Sequence, residues 1–479
     1  MNKLFFLLIP LLFSGFTHLW NPVGYPDMFF DEGIYMRRAV NFLNTGNPQE
    51  SYLYDHPYFG QIAIASILAI TNYHDLNPHT DPDSLKTVYM VPRIFMGLVA
   101  ILDTFLIYKI VEIKYGRNPA FLSSILFAVL PFTWIFKRIL LDSILLPLVL
   151  GAILLAIYCT KVKQKTPLII FSGILMGLAV FTKIPAFTMI FIVAWIVYTN
   201  RKKFSDVLLL MIPFVLIPLI WPVNAIMLDQ FDLWQKDVLW QTQRSNSIVG
   251  IIEFFWVVDP IMFLVGLSGM GFAILRRDKF LLLWFIPFVI FLSMFGYKQY
   301  FHWMMIVPVM CIAAGILLES IRKFRILRKK FVYEGVISVI LICGFVSTIL
   351  LITIDISENQ FQALSYVLEN YDDSFTVLAS PVYSWILGDV FERENVPKDY
   401  SEILFYPITN EKMVIIADPH YRIDLPRGPQ LQKALDDSKI IKKFDGTVTD
   451  FDSRIYPYTS MQANFEASEI EIRENIRDQ

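Results

Sequence analysis

The chain has 479 residues, of which 55% are hydrophobic and only 18% charged, and its formal net charge is −2. A soluble chain of this length usually has about a quarter of its residues charged, and the near-neutral balance gives no sign of nucleic-acid binding. The apolar residues are grouped in long runs, which is typical of a polytopic membrane protein.

Apolar runs predict eleven transmembrane helices. They lie near residues 4–20, 91–110, 119–136, 140–159, 167–183, 185–200, 206–228, 251–275, 280–296, 303–321 and 333–355. The first run follows Lys3 and resembles a signal peptide, but no small-x-small cleavage pattern follows it, so we expect a retained span. The apolar segment 59–72 is too short to cross a bilayer, and we expect a helix lying along the membrane interface.

Basic residues follow the even-numbered spans. They occur near 109–117, 161–165, 201–203, 276–279 and 322–330. Since positive loops stay in the cytoplasm, this pattern places the N-terminus inside and every loop after an odd-numbered span outside. The prediction is an integral protein of the cell membrane whose candidate chemistry collects on the extracytoplasmic side.

Residues 356–479 have a different composition from residues 1–355, with frequent charge and apolar runs of strand length at 376–379, 413–417 and 440–441. Residues 359–370 fit an amphipathic helix. We therefore expect a transmembrane domain over 1–355 and a small extracytoplasmic α/β domain over 356–479. The charged residues 465–479 are expected to be a frayed tail.

An acidic pair, Asp31-Glu32, follows the first span. A carboxylate at the outer membrane surface can take a proton from a hydroxyl acceptor, and partial burial raises its pKa towards a useful range. The alternative is that the pair caps a helix starting near Gly33, because Asp is a common residue before an apolar periodic run.

Further polar residues stand at the predicted outer ends of spans. Arg138 and Asp142 are four residues apart, so on a helix they share a face and can pair. Lys183 ends the run Gly173-Ile174-Leu175-Met176-Gly177-Leu178-Ala179-Val180-Phe181-Thr182-Lys183. The alternatives are a snorkelling pair and an interfacial lysine.

The first loop reads Phe30-Asp31-Glu32-Gly33-Ile34-Tyr35, Asn44-Thr45-Gly46 and Tyr54-Asp55-His56-Pro57-Tyr58-Phe59-Gly60. With the run that ends at Lys183, it resembles the protein O-mannosyltransferase and aminoarabinose-transferase group, which are polytopic glycosyltransferases of the GT-C fold using lipid-phosphate sugars. That group often has His-Pro-Pro-Leu-Gly where this chain has His56-Pro57-Tyr58-Phe59-Gly60, so Tyr58 replaces the second proline.

The resemblance implies a role for each candidate residue. Asp31 is the general base and Glu32 its neighbour, and Arg138 contacts the lipid phosphate while Asp142 orients it or the sugar. Phosphate or sugar contacts are implied for His56, Lys183, Lys298 and His302. Arg93, after Pro92 in the second span, is a structural or phosphate contact. An ordinary loop and an aromatic interfacial belt are the alternatives for His56 and for the Lys298–His302 region.

We therefore predict an inverting membrane glycosyltransferase. Its donor is a polyprenyl- or dolichyl-phosphate sugar, and its acceptor a protein or lipid-linked molecule outside the cytoplasm. No residue set is assigned to a metal and no cofactor is certain, although a divalent ion remains open. The partners are donor, acceptor and membrane lipids, without nucleic acid.

A transporter or flippase is the main alternative function. Its signs are ionisable residues in the middle of spans and symmetric halves of the chain. Asp103 is one such acid, and the sequence contains no repeat.

Overall fold

The computed structural model of the chain describes residues 3–49, 53–73, 76–159, 161–162, 165–243, 248–294, 299–322, 330–398, 412–418, 429–446 and 469–476. The helices of the membrane region are α1 Lys3–Leu19, α2 Phe30–Thr45, α3 Phe59–Ile70, α4 Pro82–Tyr115, α5 Arg117–Val129, α6 Leu141–Tyr158, α7 Thr166–Thr182, α8 Ile190–Arg201, α9 Phe204–Leu216, α10 Ile220–Met227, α11 Phe231–Gln243, α12 Ile248–Val258, α13 Pro260–Leu275, α14 Lys279–Met294, α15 Val307–Ile321 and α16 Lys330–Ile352.

The predicted membrane spans correspond to apolar helices. By length and composition, six helices in the described residues are able to cross a bilayer, or up to eight if each of two bent pairs is one span. Three predicted spans are shorter apolar helices, Leu4–Leu19, Thr166–Thr182 and Lys279–Met294, and the predicted interfacial segment is the short helix α3. On α9, exposed apolar side chains recur every four residues at Phe204, Leu208, Ile212 and Leu216, as expected for a stripe that faces lipid.

The predicted eighth span, 251–275, is wrong as a single helix. It consists of α12 and α13, which meet at an angle of 114°. The break lies at Asp259, whose Oδ1 accepts a hydrogen bond from the Met262 N–H at 2.9 Å and so caps α13, and Pro260 occupies the first helical position. Both residues favour a helix start over a helix interior, so α12 runs across the direction of α13.

Three short 3₁₀ segments replace regular helix at one end of the bundle. They are Pro131–Lys137, Ile184–Met189 and Tyr300–Ile306. Proline stands at the first or second position of the first two, where its missing N–H costs nothing. Arg138 directly follows the first segment, Lys183 directly precedes the second and His302 lies within the third, so the candidate side chains stand where regular helix is interrupted.

The loops are sorted between two ends of the bundle. At one end, the Tyr115 hydroxyl donates to Asp278 at 2.9 Å, which joins the loops after the second and eighth predicted spans, and the Asn118 amide donates to Glu319, near the end of the tenth predicted span, at 3.2 Å. Asp27, Arg138 and Lys183, from loops after odd-numbered predicted spans, lie at the other end with the C-terminal region. This distribution of the loops between the two ends agrees with the alternation of loops between the two sides of the membrane that the basic residues predict.

The C-terminal region is an α/β unit. Its helices are α17 Glu358–Asn370, α18 Pro381–Trp385, continued by a π turn at Ile386–Val390, and α19 Pro429–Asp436. Its strands, β1 Thr376–Leu378, β2 Lys412–Ala417, β3 Lys439–Phe444 and β4 Ile470–Ile476, form one sheet in the order β1-β2-β4-β3. The predicted helix and the three predicted strands are all present.

The expectation of a frayed tail is wrong for residues 470–476. They form β4, which pairs antiparallel with both β2 and β3 and so occupies the interior of the sheet. Ile470 and Ile472 are at most 1% exposed. Glu471, between them, and Arg473, after Ile472, are only half-buried. This period of two was readable in the sequence, but the frequent charges obscured it.

The C-terminal unit packs directly on the membrane region. The Trp385 indole N–H donates to the Tyr89 hydroxyl at 3.1 Å, and Lys86 forms an ion pair with Glu358 at 2.5 Å. A Cβ placed on Gly33 would lie 2.3 Å from the carbonyl oxygen of Pro381, so only glycine lets α2 approach α18 this closely. The unit therefore covers the helix that carries Asp31 and Glu32.

Candidate active site

A buried network of charges lies at the start of α2. Glu32 and Arg93 are at most 1% exposed, and Arg93 Nη2 lies 2.6 Å from Glu32 Oε2. Arg138, also 1% exposed, forms an ion pair at 2.5 Å with Asp27 and lies 3.9 Å from Glu32. Two cations thus face two carboxylates in a region closed to water, where such pairs need good geometry to offset desolvation.

Main-chain groups complete this network. Glu32 Oε2 accepts from the Phe29 N–H at 2.9 Å, and Glu32 Oε1 accepts from the Ile139 N–H at 2.7 Å. Glu32 is the third residue of α2, so its carboxylate closes the helix start as in a capping box. The helix begins at Phe30 and not near Gly33, so the capping alternative holds for Glu32 only as the third helical residue, where both carboxylate oxygens accept hydrogen bonds.

Asp31 differs from its neighbour in exposure. It stands in the first turn of α2, next to the fully enclosed Glu32, yet its own residue is only partly buried. A carboxylate at a helix N-terminus is favoured by the macrodipole, and Asp31 keeps part of its surface exposed. Of the acidic pair, only Asp31 has a setting that suits a general base.

Lys183 and Asp142 form a second buried ion pair, with Nζ 2.5 Å from Oδ2 and side chains 4% exposed. The Lys183 ammonium also lies 5.3 Å from the centre of the Phe301 ring, and Phe301 packs edge-on against Phe29. Since Arg138 stacks 4.7 Å from the same Phe29 ring, these two aromatic rings stand between the two charge clusters.

The predicted pairing of Arg138 with Asp142 on one helix face is wrong. Arg138 follows a 3₁₀ segment and has extended backbone angles, and α6 begins only at Leu141. The helical four-residue spacing therefore does not apply, and the ion pairs run from Arg138 to Asp27 and from Asp142 to Lys183.

A third group gathers around Tyr35. The His56 ring lies 6.1 Å from the Tyr35 ring, and Arg38 forms an ion pair with Asp55 at 2.5 Å. Burial raises the pKa of the Tyr35 hydroxyl, and the negative charges of Asp31, Asp55 and Asp142 raise it further. These three carboxylates come from separate parts of the sequence and lie within electrostatic range of one hydroxyl.

The loop carrying His56 rests on α10 and α11. The Tyr54 N–H donates to the buried Asp237 at 2.7 Å, and the Tyr54 hydroxyl donates to Gln230 at 2.7 Å. The Tyr58 hydroxyl donates to Asn224 at 3.0 Å, so the residue that replaces proline has a structural partner. Helix α11 is thus docked beside the loop that carries His56.

His302 lies beside Phe301, with ring centres 4.5 Å apart, and its Nδ1 accepts from the Gln299 N–H at 3.2 Å. An accepting Nδ1 leaves the proton of a neutral ring on Nε2.

Lys298 lies outside the described residues. Within the described ranges, no three His, Cys, Asp or Glu side chains are placed to hold a metal ion.

Sequence reasoning missed Asp27 and the Arg38–Asp55 pair. Asp27 precedes an apolar run and has no motif around it, so only its contact with Arg138, 111 residues away, reveals its role. The adjacency of Asp55 to His56 was a usable signal, since an acidic side chain beside a candidate histidine is a common partner.

Comparison with known proteins addresses the family and the fold. A family model described as dolichyl-phosphate-mannose-protein mannosyltransferase matches residues 85–225. No curated protein sequence matches the chain. ArnT from Cupriavidus metallidurans, solved with undecaprenyl phosphate, is 10% identical with a TM-score of 0.57, and the match covers 99% of each chain.

An oligosaccharyltransferase from Archaeoglobus fulgidus, solved with a tethered acceptor peptide containing the NVT sequon, is 13% identical with a TM-score of 0.56. That match covers 87% of this chain and 69% of the archaeal one. The archaeal oligosaccharyltransferase AglB from Archaeoglobus fulgidus, in complex with an inhibitory peptide and a dolichol phosphate, is 13% identical with a TM-score of 0.50, over 83% and 60% of the two chains.

These likenesses confirm the predicted fold class. The chain is a polytopic helical membrane protein with a GT-C fold similar to that of ArnT, and its residues 85–225 match the mannosyltransferase family model. The prediction of a glycosyltransferase agrees with both the family model and the structural likeness.

Proposed function

We propose that this chain moves a sugar from a polyprenyl-phosphate donor to an acceptor on a protein or a lipid-linked molecule. The observation that carries the proposal is the placement of Asp31, a partly exposed carboxylate on a helix start that is anchored by the buried Glu32–Arg93 pair. Two structures with the same fold were solved with undecaprenyl phosphate and with dolichol phosphate, which supports a polyprenyl phosphate as the carrier.

Asp31 acts as the general base in this proposal. It takes the proton of the acceptor hydroxyl while the acceptor oxygen attacks the anomeric carbon from the side opposite the phosphate. The bond between that carbon and the phosphate oxygen breaks, so the sugar is transferred with inversion and the polyprenyl phosphate leaves. Positioning and proton removal are the contributions required of the protein.

Lys183 is the proposed phosphate contact. The Lys183 ammonium contacts both the Asp142 carboxylate and the Phe301 ring. A donor phosphate that approaches this position binds the same ammonium as Asp142 does. Charge that develops on the leaving phosphate is stabilised most by a cation already held in place. His56 and His302, both partly buried, and Lys298 are proposed as further sugar or phosphate contacts.

Arg93 and Arg138 receive a different role from the one implied by the resemblance. Both are 1% exposed and hold carboxylates and main-chain oxygens, so we propose that they position the start of α2 and leave the donor phosphate to other residues. Glu32 acts in the same way, as the carboxylate that both arginines approach.

The proposed orientation has the N-terminus in the cytoplasm and the C-terminal domain, residues 356–479, outside. It rests on the basic residues that follow the even-numbered predicted spans, because positively charged loops stay in the cytoplasm. The reaction would then take place on the extracytoplasmic side of the cell membrane.

The transporter alternative finds no support. Asp103, the acid inside a span, is fully buried, and neither of its carboxylate oxygens has a hydrogen-bond partner among the described residues. Ionisable residues on a transport pathway usually pair with one another or face a water-filled cavity, and the fold is shared with transferases.

Sugar transfer by the purified protein in lipid nanodiscs tests the proposal. A panel of radiolabelled polyprenyl-phosphate sugars is offered with a mixture of peptide and glycolipid acceptors, with and without a divalent ion. We expect the wild type to release polyprenyl phosphate from one donor, and Asp31→Asn to lose at least about 100-fold in kcat. Equal turnover by both proteins would remove Asp31 from its role. No turnover with any donor, together with movement of donor across the bilayer, would refute the transferase.

A further inference from the structure

The segment that leads into α2 is held by side chains along its length. Residues 27–29 belong to neither helix nor sheet, so their backbone polar groups need other partners. The Asp27 carbonyl accepts from Arg93 and from Arg138, each at 2.9 Å, and the Phe29 N–H donates to Glu32. All three of these partners belong to the membrane region.

Met28, between them, is held by the C-terminal domain. The Met28 N–H donates to Gln360 Oε1 at 2.7 Å, and Gln360 Nε2 donates to the Met28 carbonyl at 3.2 Å. Gln360 lies in the first turn of α17 and is 2% exposed. One amide side chain thus binds both main-chain groups of Met28, as a neighbouring strand would in a sheet.

A hydrogen bond to Asp418 fixes the orientation of the Gln360 amide. Gln360 Nε2 also donates to Asp418 Oδ2 at 3.2 Å, and the same oxygen accepts from the Tyr383 hydroxyl at 2.6 Å. Because Asp418 Oδ2 accepts both of these bonds, the NH₂ group of Gln360 is the part of the amide that faces Asp418. Asp418 is 2% exposed and follows β2, so the core of the C-terminal domain sets this direction.

A second contact of the same domain lies on the other side of Asp31. Gly33 packs against the backbone of Pro381 and Val382 at the start of α18, with no room for a Cβ. Asp31 therefore stands between Met28 and Gly33, two residues whose positions depend on the C-terminal domain.

We infer that Gln360 is a positioning residue for the reaction: held by Asp418, it fixes Met28 and thereby the place of the Asp31 carboxylate. The C-terminal domain then contributes to catalysis by positioning the Asp31 carboxylate. The kinetic side of this inference rests on the proposed function, whereas the mechanical side, that Gln360 holds residues 27–32, stands independently of it.

The experiment compares the wild type with Gln360→Met, Asp418→Asn and the matched control Gln362→Met in nanodiscs. Gln362 lies on the same helix, and among the described residues its side chain bonds only to Glu358, at 3.1 Å. Two quantities are measured: the kcat and donor KM of sugar transfer, and hydrogen exchange of peptides that cover residues 24–34.

We expect Gln360→Met to lower kcat at least about tenfold with donor KM nearly unchanged, because a small displacement of a reacting group reduces turnover more than binding. Exchange at residues 27–32 is expected to accelerate, with the rest of the chain unaffected. Asp418→Asn, which keeps the packing, is expected to lower kcat and accelerate exchange at residues 27–32 to a smaller degree. If Gln360→Met does not fold, Asp418→Asn is the variant that decides the test. Gln362→Met is expected to leave both quantities unchanged.

Wild-type kcat together with wild-type exchange in Gln360→Met and Asp418→Asn would overturn the inference. Acceleration of exchange throughout the chain would also overturn it, because it would indicate general destabilisation. If the wild type transferred no sugar from any donor, the proposed function would fail, and exchange at residues 27–32 would still decide whether Gln360 holds the segment.

Discussion

Glu32 and Arg93 form an ion pair in which Oε2 and Nη2 are 2.6 Å apart and both side chains are at most 1% exposed. The Glu32 carboxylate also accepts from the main chain at Phe29 and Ile139, so it joins the start of α2 to α4 and to the segment before α6. Of two adjacent acidic residues, the fold thus encloses Glu32 and leaves Asp31 partly exposed.

Replacement of Glu32 is expected to affect stability first. Glu32→Gln leaves the Arg93 guanidinium buried without its counter-charge, which costs about 3–5 kcal/mol in comparable pairs. Thermal unfolding in detergent measures the loss. The matched control is Glu112→Gln, which breaks the surface pair with Lys109 on α4 and should cost less than about 1 kcal/mol. Equal unfolding temperatures for the two variants would contradict the structural role of Glu32.

Replacement of Lys183 is expected to separate stability from activity. Lys183→Met leaves the Asp142 carboxylate buried without its cation and should destabilise the protein. The double variant Lys183→Met with Asp142→Leu removes both charges, so its thermal unfolding should return towards that of the wild type. Its turnover should stay about 100-fold or more below that of the wild type, because the proposed phosphate contact is gone. Recovery of turnover in the double variant would exclude Lys183 as that contact.

The Arg38–Asp55 pair predicts a pH dependence of stability. Burial by itself would raise the pKa of Asp55, but the Arg38 guanidinium, helped by His56, holds that pKa below its ordinary value. A carboxyl whose pKa falls on folding adds stability above its unfolded pKa, about 3.9, and loses it as the pH falls through the folded pKa. Asp55→Asn should therefore be less stable than the wild type at pH 7.

The difference between wild type and Asp55→Asn should shrink below about pH 4 and vanish once the wild-type carboxyl is protonated in both folded and unfolded protein. Denaturant unfolding at a series of pH values gives the profile. Asp232→Asn, at an exposed position in the first turn of α11, is the control and should follow the wild type at every pH. A difference for Asp55→Asn that stays constant from pH 7 to pH 3 would contradict the ion-pair explanation.

Truncation tests the position of β4. A chain ending at residue 468 loses the strand that pairs with both β2 and β3, so the sheet of the C-terminal domain should not form. A chain ending at residue 476 keeps β4 and should be as resistant to limited proteolysis as the full chain. Equal protease resistance of the two truncated proteins would show that the sheet does not depend on β4.

The fold was predictable to the extent that it follows from local patterns. Apolar runs located the membrane helices, and the short apolar segment at 59–72 is the short helix α3, because hydrophobic length is a property of consecutive residues. The break at Asp259-Pro260 was also readable in principle, since both residues favour a helix start. Strand β4 was missed because its charged residues outweighed the alternation of Ile470 and Ile472.

The candidate site was predictable only in its residue types. The order of Asp31, His56 and Lys183 indicated a reaction centre, because each motif is contiguous and carries its own chemical meaning. The partners were not predictable: a helical spacing of four pointed from Arg138 to Asp142, yet the helix is interrupted between them.

The sequence by itself determined a polytopic membrane protein, the predicted alternation of its loops, its resemblance to lipid-phosphate sugar transferases and the acidic pair that contains the proposed base. Only the tertiary structure decided which acid is enclosed, which cation pairs with which carboxylate, and that Gln360 holds Met28 from 332 residues away. The reason is physical: hydropathy and charge act through neighbouring residues, whereas buried hydrogen bonds and ion pairs depend on three-dimensional closeness that the complete fold alone creates.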